Sequence, residues 1–154
     1  MTEVLFYHLT RRTLEDALPA LVERTLAHGW KAFVRTESDE RAQTIDRLLW
    51  TYDEASFLPH GLSTEPAPAR QPVLIGTDEG VANGAEVLFL VGGAPAPDWT
   101  GALAKGLVRI VVMFDGRDPA AVESAREAWK ASKRAGHEIT YWKETPAGKW
   151  EKEG

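Results

Sequence analysis

The sequence predicts an α/β fold, a three-layer α/β/α arrangement with a mostly parallel central sheet. Short apolar runs rich in β-branched and aromatic residues alternate along the chain with helix-length stretches of 3.6-residue periodicity, the pattern of strands joined by crossover helices. LVRIVVMF at 107–114 has the composition of a central strand, with Asp115 and Gly116 at its carboxyl end feeding a strongly specified helix. No period of about 20 to 50 residues repeats, which excludes a solenoid. The expected organisation is a single α/β domain over residues 1–142 and a polar C-terminal tail over 143–154.

The elements follow in order. EVLFYHL at 3–9 reads as a buried strand. Thr13 and Asp16 form a capping pair for a helix toward His28, with Leu14, Ala17, Leu18, Leu21, Val22 and Leu26 on one face. Pro19 removes a hydrogen bond inside that helix, so the helix either bends there or has a separate first turn. Gly29 closes it, KAFVRT at 31–36 reads as a second strand, and Ser38 caps a helix with Ala42, Ile45, Leu48 and Leu49 facing the core.

YDEASFLPHG is an apolar turn-forming segment, and STEPAPARQP at 63–72 an extended connector. Strands follow at 73–76 and 86–91, then the turn-rich GGAPAPDW. Beyond the central strand, Asp118 caps a helix, Pro119 takes its first position and Gly136 ends it. Residues 138–142 form a last short strand.

The helix from Asp118 to Gly136 carries the most suggestive surface. Arg126, Lys130, Lys133 and Arg134 lie on one edge, within about 80° of Arg126, and Ala121, Ala125, Ala128, Ser132 and Ala135 on the other. Trp129 falls about 60° from Arg126, at the seam between them. Such a row also suits an ordinary helix, because cations in the last turns complement the helix dipole and charged outer faces are usual.

Composition narrows the function classes. A net charge of −5, from 23 acidic and 18 basic residues, argues against a surface that grips nucleic acid throughout and makes any affinity for an acidic partner local. The absence of cysteine excludes disulfides and thiolate metal sites. Neither a signal peptide nor a membrane-length apolar run is visible, so the expectation is a soluble cytoplasmic protein without membrane contact. Six tryptophans are many for 154 residues, and exposed ones would mark contact surfaces.

Motifs for catalysis are missing. HLTRRTLED after the first strand contains no glycine with which to approach a pyrophosphate, and GTDEGVANG at 76–84 lacks a following Lys-Ser/Thr and reads as a turn. His8, His28, His60 and His137 have no metal-ligand spacing, so neither a metal nor a cofactor is expected. Asp115 reads either as a carboxylate at a strand end or as part of an Asp-Gly turn. Asp53 and His60 could pair as base and orienter, but no nucleophile accompanies them. The residues favour a binding module. A nucleotide-binding or hydrolytic enzyme using the sheet crevice near Asp115 is the alternative, and direct binding of single-stranded DNA is disfavoured by the net charge.

FYHL near the start, AHGWKAFV, DRLLWTYDEASFLPHG and REAWKASKRAG together resemble the chi subunit family of bacterial DNA polymerase III, clamp-loader accessory proteins. The resemblance implies a non-catalytic subunit that links the clamp loader to single-stranded-DNA-binding protein by gripping that protein's acidic C-terminal tail, which ends in Pro-Phe. It places the tail-binding positions on Arg126, Trp129 and Lys130, where a tyrosine often replaces the tryptophan. Chemistry agrees: Arg126 offers a fork to a terminal carboxylate, Lys130 and Lys133 offer charges to acidic side chains, and Trp129 offers an apolar wall. Trp50 is a further candidate for that pocket or a core tryptophan. The resemblance also implies an interface at Phe57 toward the psi subunit or a helicase-like partner, with Pro59 and His60 beside it; the same loop could simply pack down on the sheet. Lys149, Trp150 and Lys152 extend beyond where many such chains end, and either enlarge the basic pocket or are disordered.

Overall fold

Among the described residues, every pair of neighbouring strands in the sheet but one is parallel. The computed structural model describes residues 2–52, 59–65 and 70–153. In chain order the elements are β1 (Glu3–Leu9), α1 (Leu14–Ala27), β2 (Ala32–Arg35), α2 (Asp39–Thr51), β3 (Gly61–Leu62), β4 (Val73–Gly76), β5 (Val87–Leu90), α3 (Ala102–Gly106), β6 (Arg109–Asp115), α4 (Pro119–Arg134), β7 (Glu138–Glu144) and β8 (Trp150–Glu153). They build one eight-stranded sheet in the order β3-β4-β2-β5-β6-β1-β7-β8, with only the β7–β8 pairing antiparallel.

Alternation along the strands sends side chains to two cores. Leu5, Tyr7, Val34, Phe89 and Met113 face α1 and α2, which contribute Leu18, Val22, Ile45 and Leu49. Val4, Phe6, Phe33, Leu88, Ile110 and Phe114 face the other way, against Trp99 and against Ala104 and Ala125 from α3 and α4. The predicted three-layer α/β fold is therefore the observed one.

The caps read from sequence are made. Thr13 accepts from the Asp16 amide while Asp16 accepts from the Thr13 amide, and Ser38 accepts from the Arg41 amide. Helix α1 runs unbroken through Pro19, whose ring is buried. β3 and α3 were not predicted; both are very short, and α3 starts at Gly101 without a side-chain cap. Strand β7 continues to Glu144, past its predicted end at residue 142, and the segment read as a polar tail turns at Thr145 and Gly148 and returns as β8.

Glu144 fastens this hairpin to the body. Its side chain is fully buried, and Oε1 accepts from the amides of Thr10, Arg11 and Arg12 at 3.1, 2.7 and 2.9 Å. Arg12 Nε stands 3.3 Å from Oε2. Arg11 and Arg12 also donate to the carbonyls of Pro146 and Gly148, and Trp150 packs edge-on against Tyr7 at 5.1 Å. Burial alone would raise the Glu144 pKa; the three amides and the Arg12 charge outweigh it and hold the pKa below its usual 4.5.

Removing the carboxylate leaves buried amides without an acceptor. Glu144→Ala should cost about 3 kcal/mol at pH 7 by urea denaturation. Because the folded pKa is depressed, this contribution is complete above the unfolded carboxylate pKa and is lost as pH falls through the folded value. The gap between wild type and variant should therefore narrow in acid, and a gap that is constant from pH 7 downward would contradict the assignment.

Candidate functional site

The seam on α4 is built as its sequence implies. Asp118 accepts from the Ala120 amide, Pro119 occupies the first turn, and Gly136 adopts φ +88° beyond the C-cap, a conformation glycine takes without Cβ strain. Asp115 accepts from the backbone and side chain of Arg117 at 2.9 and 2.8 Å, which makes it a turn residue with a pKa lowered chiefly by the Arg117 side chain. Gly116 passes so close to β1 that a Cβ there would lie 2.0 Å from His8 Nε2 and 2.9 Å from the Leu9 carbonyl. This junction sets the position of α4.

The two sides of α4 meet different surroundings. Ala121, Ser124, Ala125 and Ala128 border a crevice of about 680 Å³ together with the 92–96 loop and the carboxyl ends of β1 and β6. The opposite flank carries Arg126, Trp129 and Lys133, with Lys130 further out, all exposed. Trp129 is 37% exposed and lies under the Lys133 ammonium, 4.7 Å from the ring centroid. Lys130 is 3.9 Å from Glu127, a solvent-facing pair of little energetic weight. Arg126 makes no ion pair among the described residues.

Below this flank lies Tyr141 of β7, whose hydroxyl is 2.6 Å from His8 Nδ1. Burial raises the Tyr141 pKa, Glu153 adds to the rise and Arg126 opposes it, so Tyr141 feels an anion from β8 and a cation from α4. Burial, and then Lys143, lower the pKa of His8, which favours its neutral form. Sequence reasoning missed His8 and Tyr141 as neighbours of the flank. Only the strand pairing, which aligns Phe6 with Tyr141 and His8 with Lys143, brings them there.

Trp50, the further candidate for the same pocket, lies apart from this group. It sits on α2, and α2 covers the opposite face of the sheet from α4. It is 54% exposed, and its ring packs 4.5 Å from His60. His60 is buried, with Nε2 3.0 Å from the Asp46 carbonyl oxygen and 3.4 Å from its carboxylate, while Pro59 is exposed. Phe57 and Asp53 lie outside the described residues.

The crevice offers little to a phosphate. The amides of residues 10–12, which follow β1 where a dinucleotide fold holds its pyrophosphate, all point to Glu144. Arg41 is engaged by Glu37 and Glu15, and Arg117 by Asp115. Arg35 is buried and, among the described residues, donates to the carbonyls of Asp78, Glu79 and Pro95. Among the described residues no group of three acidic or histidine side chains is placed to hold a metal, and no helix is long and apolar enough to cross a membrane.

Fold and site together define a doubly wound α/β protein whose crevice cations are engaged internally and which carries an exposed cation–aromatic surface on one helix flank. The sequence matches the family DNA polymerase III chi subunit, HolC, over residues 1–140, and the chain belongs to that family. It is 29% identical over 91 residues to a probable DNA polymerase III subunit chi of Rickettsia prowazekii, covering 59% of this chain and 55% of that protein. It is 34% identical over 73 residues to DNA polymerase III subunit chi of Haemophilus influenzae, covering 46% of this chain and 51% of the relative. With the subunit of the same name from Escherichia coli the identity is 26% over 146 residues, covering 90% and 96%. The match thus spans about half the length of the first two relatives and nearly all of the third. Membership supports an accessory role in DNA replication.

Gly116→Ala tests how the flank is positioned. The new methyl group meets a backbone carbonyl as well as the His8 ring, so a loss on the order of 2 kcal/mol in urea denaturation is expected, with a shift of the His8 imidazole resonances. Unchanged stability and resonances would show that the junction gives way freely.

Proposed function

We propose that this protein is a non-catalytic accessory subunit that links the clamp loader of DNA polymerase III to single-stranded-DNA-binding protein by binding that protein's acidic C-terminal tail along the α4 flank. The observation that carries the reading is the side-by-side placement of the exposed Arg126, the Trp129 ring and Lys133 on one helix face. An acidic peptide with an apolar aromatic end needs a bidentate cation for its terminal carboxylate, mobile cations for its side chains and an apolar surface for its ring. Arg126, the lysines 130 and 133, and Trp129 supply these in that order. The acidic balance of the rest of the chain disfavours direct tight binding to nucleic acid and leaves this flank as the place where an acidic partner is attracted.

A second surface is assigned to a different partner, the psi subunit or a helicase-like protein. The resemblance implies Phe57 for it, the exposed Pro59 follows in the chain, and the buried His60 supports it through its contact with the exposed Trp50. The site of action is the cytoplasm, where the replication machinery works.

A peptide with several aspartates and a Pro-Phe end, titrated into the protein, should bind with micromolar affinity that falls steeply as salt rises. Arg126→Ala and Trp129→Ala should each weaken binding by about tenfold or more, whereas Trp50→Ala should leave it unchanged. Equal binding by wild type and Arg126→Ala would exclude the flank as the site.

A further inference from the structure

The C-terminal hairpin places carboxylates beside the basic flank. Side chains alternate along β8, so Trp150 and Lys152 share one face while Glu151 and Glu153 share the other. Trp150 packs with the α1–α2 core, which puts Glu151 and Glu153 on the α4 side of the sheet. There Glu153 is directly opposite Tyr141, and Glu151 is opposite Lys143. Tyr141 belongs to the same core as Ala121, Val122, Ala125 and Ala128 of α4, so the floor beside the helix flank has a basic wall and an acidic rim.

We propose that β8 is a built-in electrostatic brake on the acidic-peptide site, with Glu153, and behind it Glu151, opposing the approach of the peptide's carboxylates to Arg126. This inference rests on the function proposed above. The two glutamates act through their field, since neither forms an ion pair with Arg126. Two further observations support it. Tyr141 senses Glu153 and Arg126 with opposite sign, so both charges lie within range of one side chain between them. The hairpin is also held in place, by Glu144 on the amides of residues 10–12, by Arg11 and Arg12 on its turn and by Trp150 on Tyr7, so the rim is a fixed part of the site.

The consequence is selectivity as well as strength. A peptide whose acidic residues run along Lys130 and Lys133, away from the sheet edge, avoids the rim, whereas one laid across β7 meets Glu153. Most of the hairpin lies beyond the stretch matched to the family, residues 1–140, so the brake is a feature of this chain and need not be shared.

The test measures dissociation constants of the full chain for the acidic Pro-Phe peptide at low and high salt. Wild type is compared with Glu153→Gln, the pair Glu151→Gln with Glu153→Gln, and Glu40→Gln, which makes the same charge change at an exposed position on α2, across the sheet. Glu153→Gln should tighten binding about threefold and the pair about tenfold at low salt, with the gain vanishing at high salt, while Glu40→Gln stays near wild type. The gain should shrink when Arg126 is also replaced by alanine. If Glu153→Gln behaves like Glu40→Gln while wild type binds, the brake is overturned and the binding reading stands. If no variant binds the peptide, both fall together.

Discussion

The carboxylate of Glu144 is the constraint on which this architecture depends at the β1–β7–β8 side of the sheet. One buried anion organises the turn from β1 into α1 by collecting three successive amides, and it ties that turn to the last two strands. Buried charges ordinarily carry a desolvation penalty that only excellent geometry offsets. Here the geometry is supplied by three successive backbone amides of the loop that precedes α1, which favour an anion whatever its source. Doubly wound folds that hold nucleotides use the same loop for a bound phosphate. In this chain the anion is covalently part of the protein, and the loop has become an internal joint.

That joint has consequences at a distance. With β7 and β8 fixed against β1, Tyr141 is held beneath α4 and reaches His8, and the position of α4 is set from the other end by the tight passage of Gly116 against His8. His8 is therefore touched from both sides, by the turn that launches α4 and by the strand that floors its exposed flank. The lowered pKa of His8 favours its neutral form, so the imidazole adds no positive charge to the floor.

Much of this was legible in the sequence, because the fold and the helix flank are encoded by local signals. Apolar runs gave β1, β4, β5 and β6; the Thr13–Asp16 pair, Ser38 and the Asp118–Pro119–Gly136 set gave the helix ends; and the angular positions of Arg126, Trp129 and Lys133 gave one exposed edge. What was not legible depends on contacts between distant residues. Glu144 in a polar stretch has no local mark of burial, since its partners are more than 130 residues away in sequence. β8 is charged and exposed, as edge strands tend to be, and so reads as a tail. The place of Trp50 stays open in the sequence because helix periodicity says which residues of α2 point outward but not which face of the sheet α2 covers.

Lys133 completes the picture of the flank. Its ammonium lies over the Trp129 ring, so one face of the indole is covered by a cation in the free protein. An incoming aromatic ring can use the uncovered face or edge, or it can displace the lysine, and displacement costs about 0.5 to 1 kcal/mol at an exposed site. A partner that is only apolar must bear that cost. A partner that brings carboxylates with its ring gives the released ammonium a new counter-charge a short distance away, and a flexible four-carbon stem can make that move. In the proposed role, the contact between Lys133 and Trp129 would therefore favour ligands carrying both chemistries, which neither a basic row nor an exposed tryptophan would do alone.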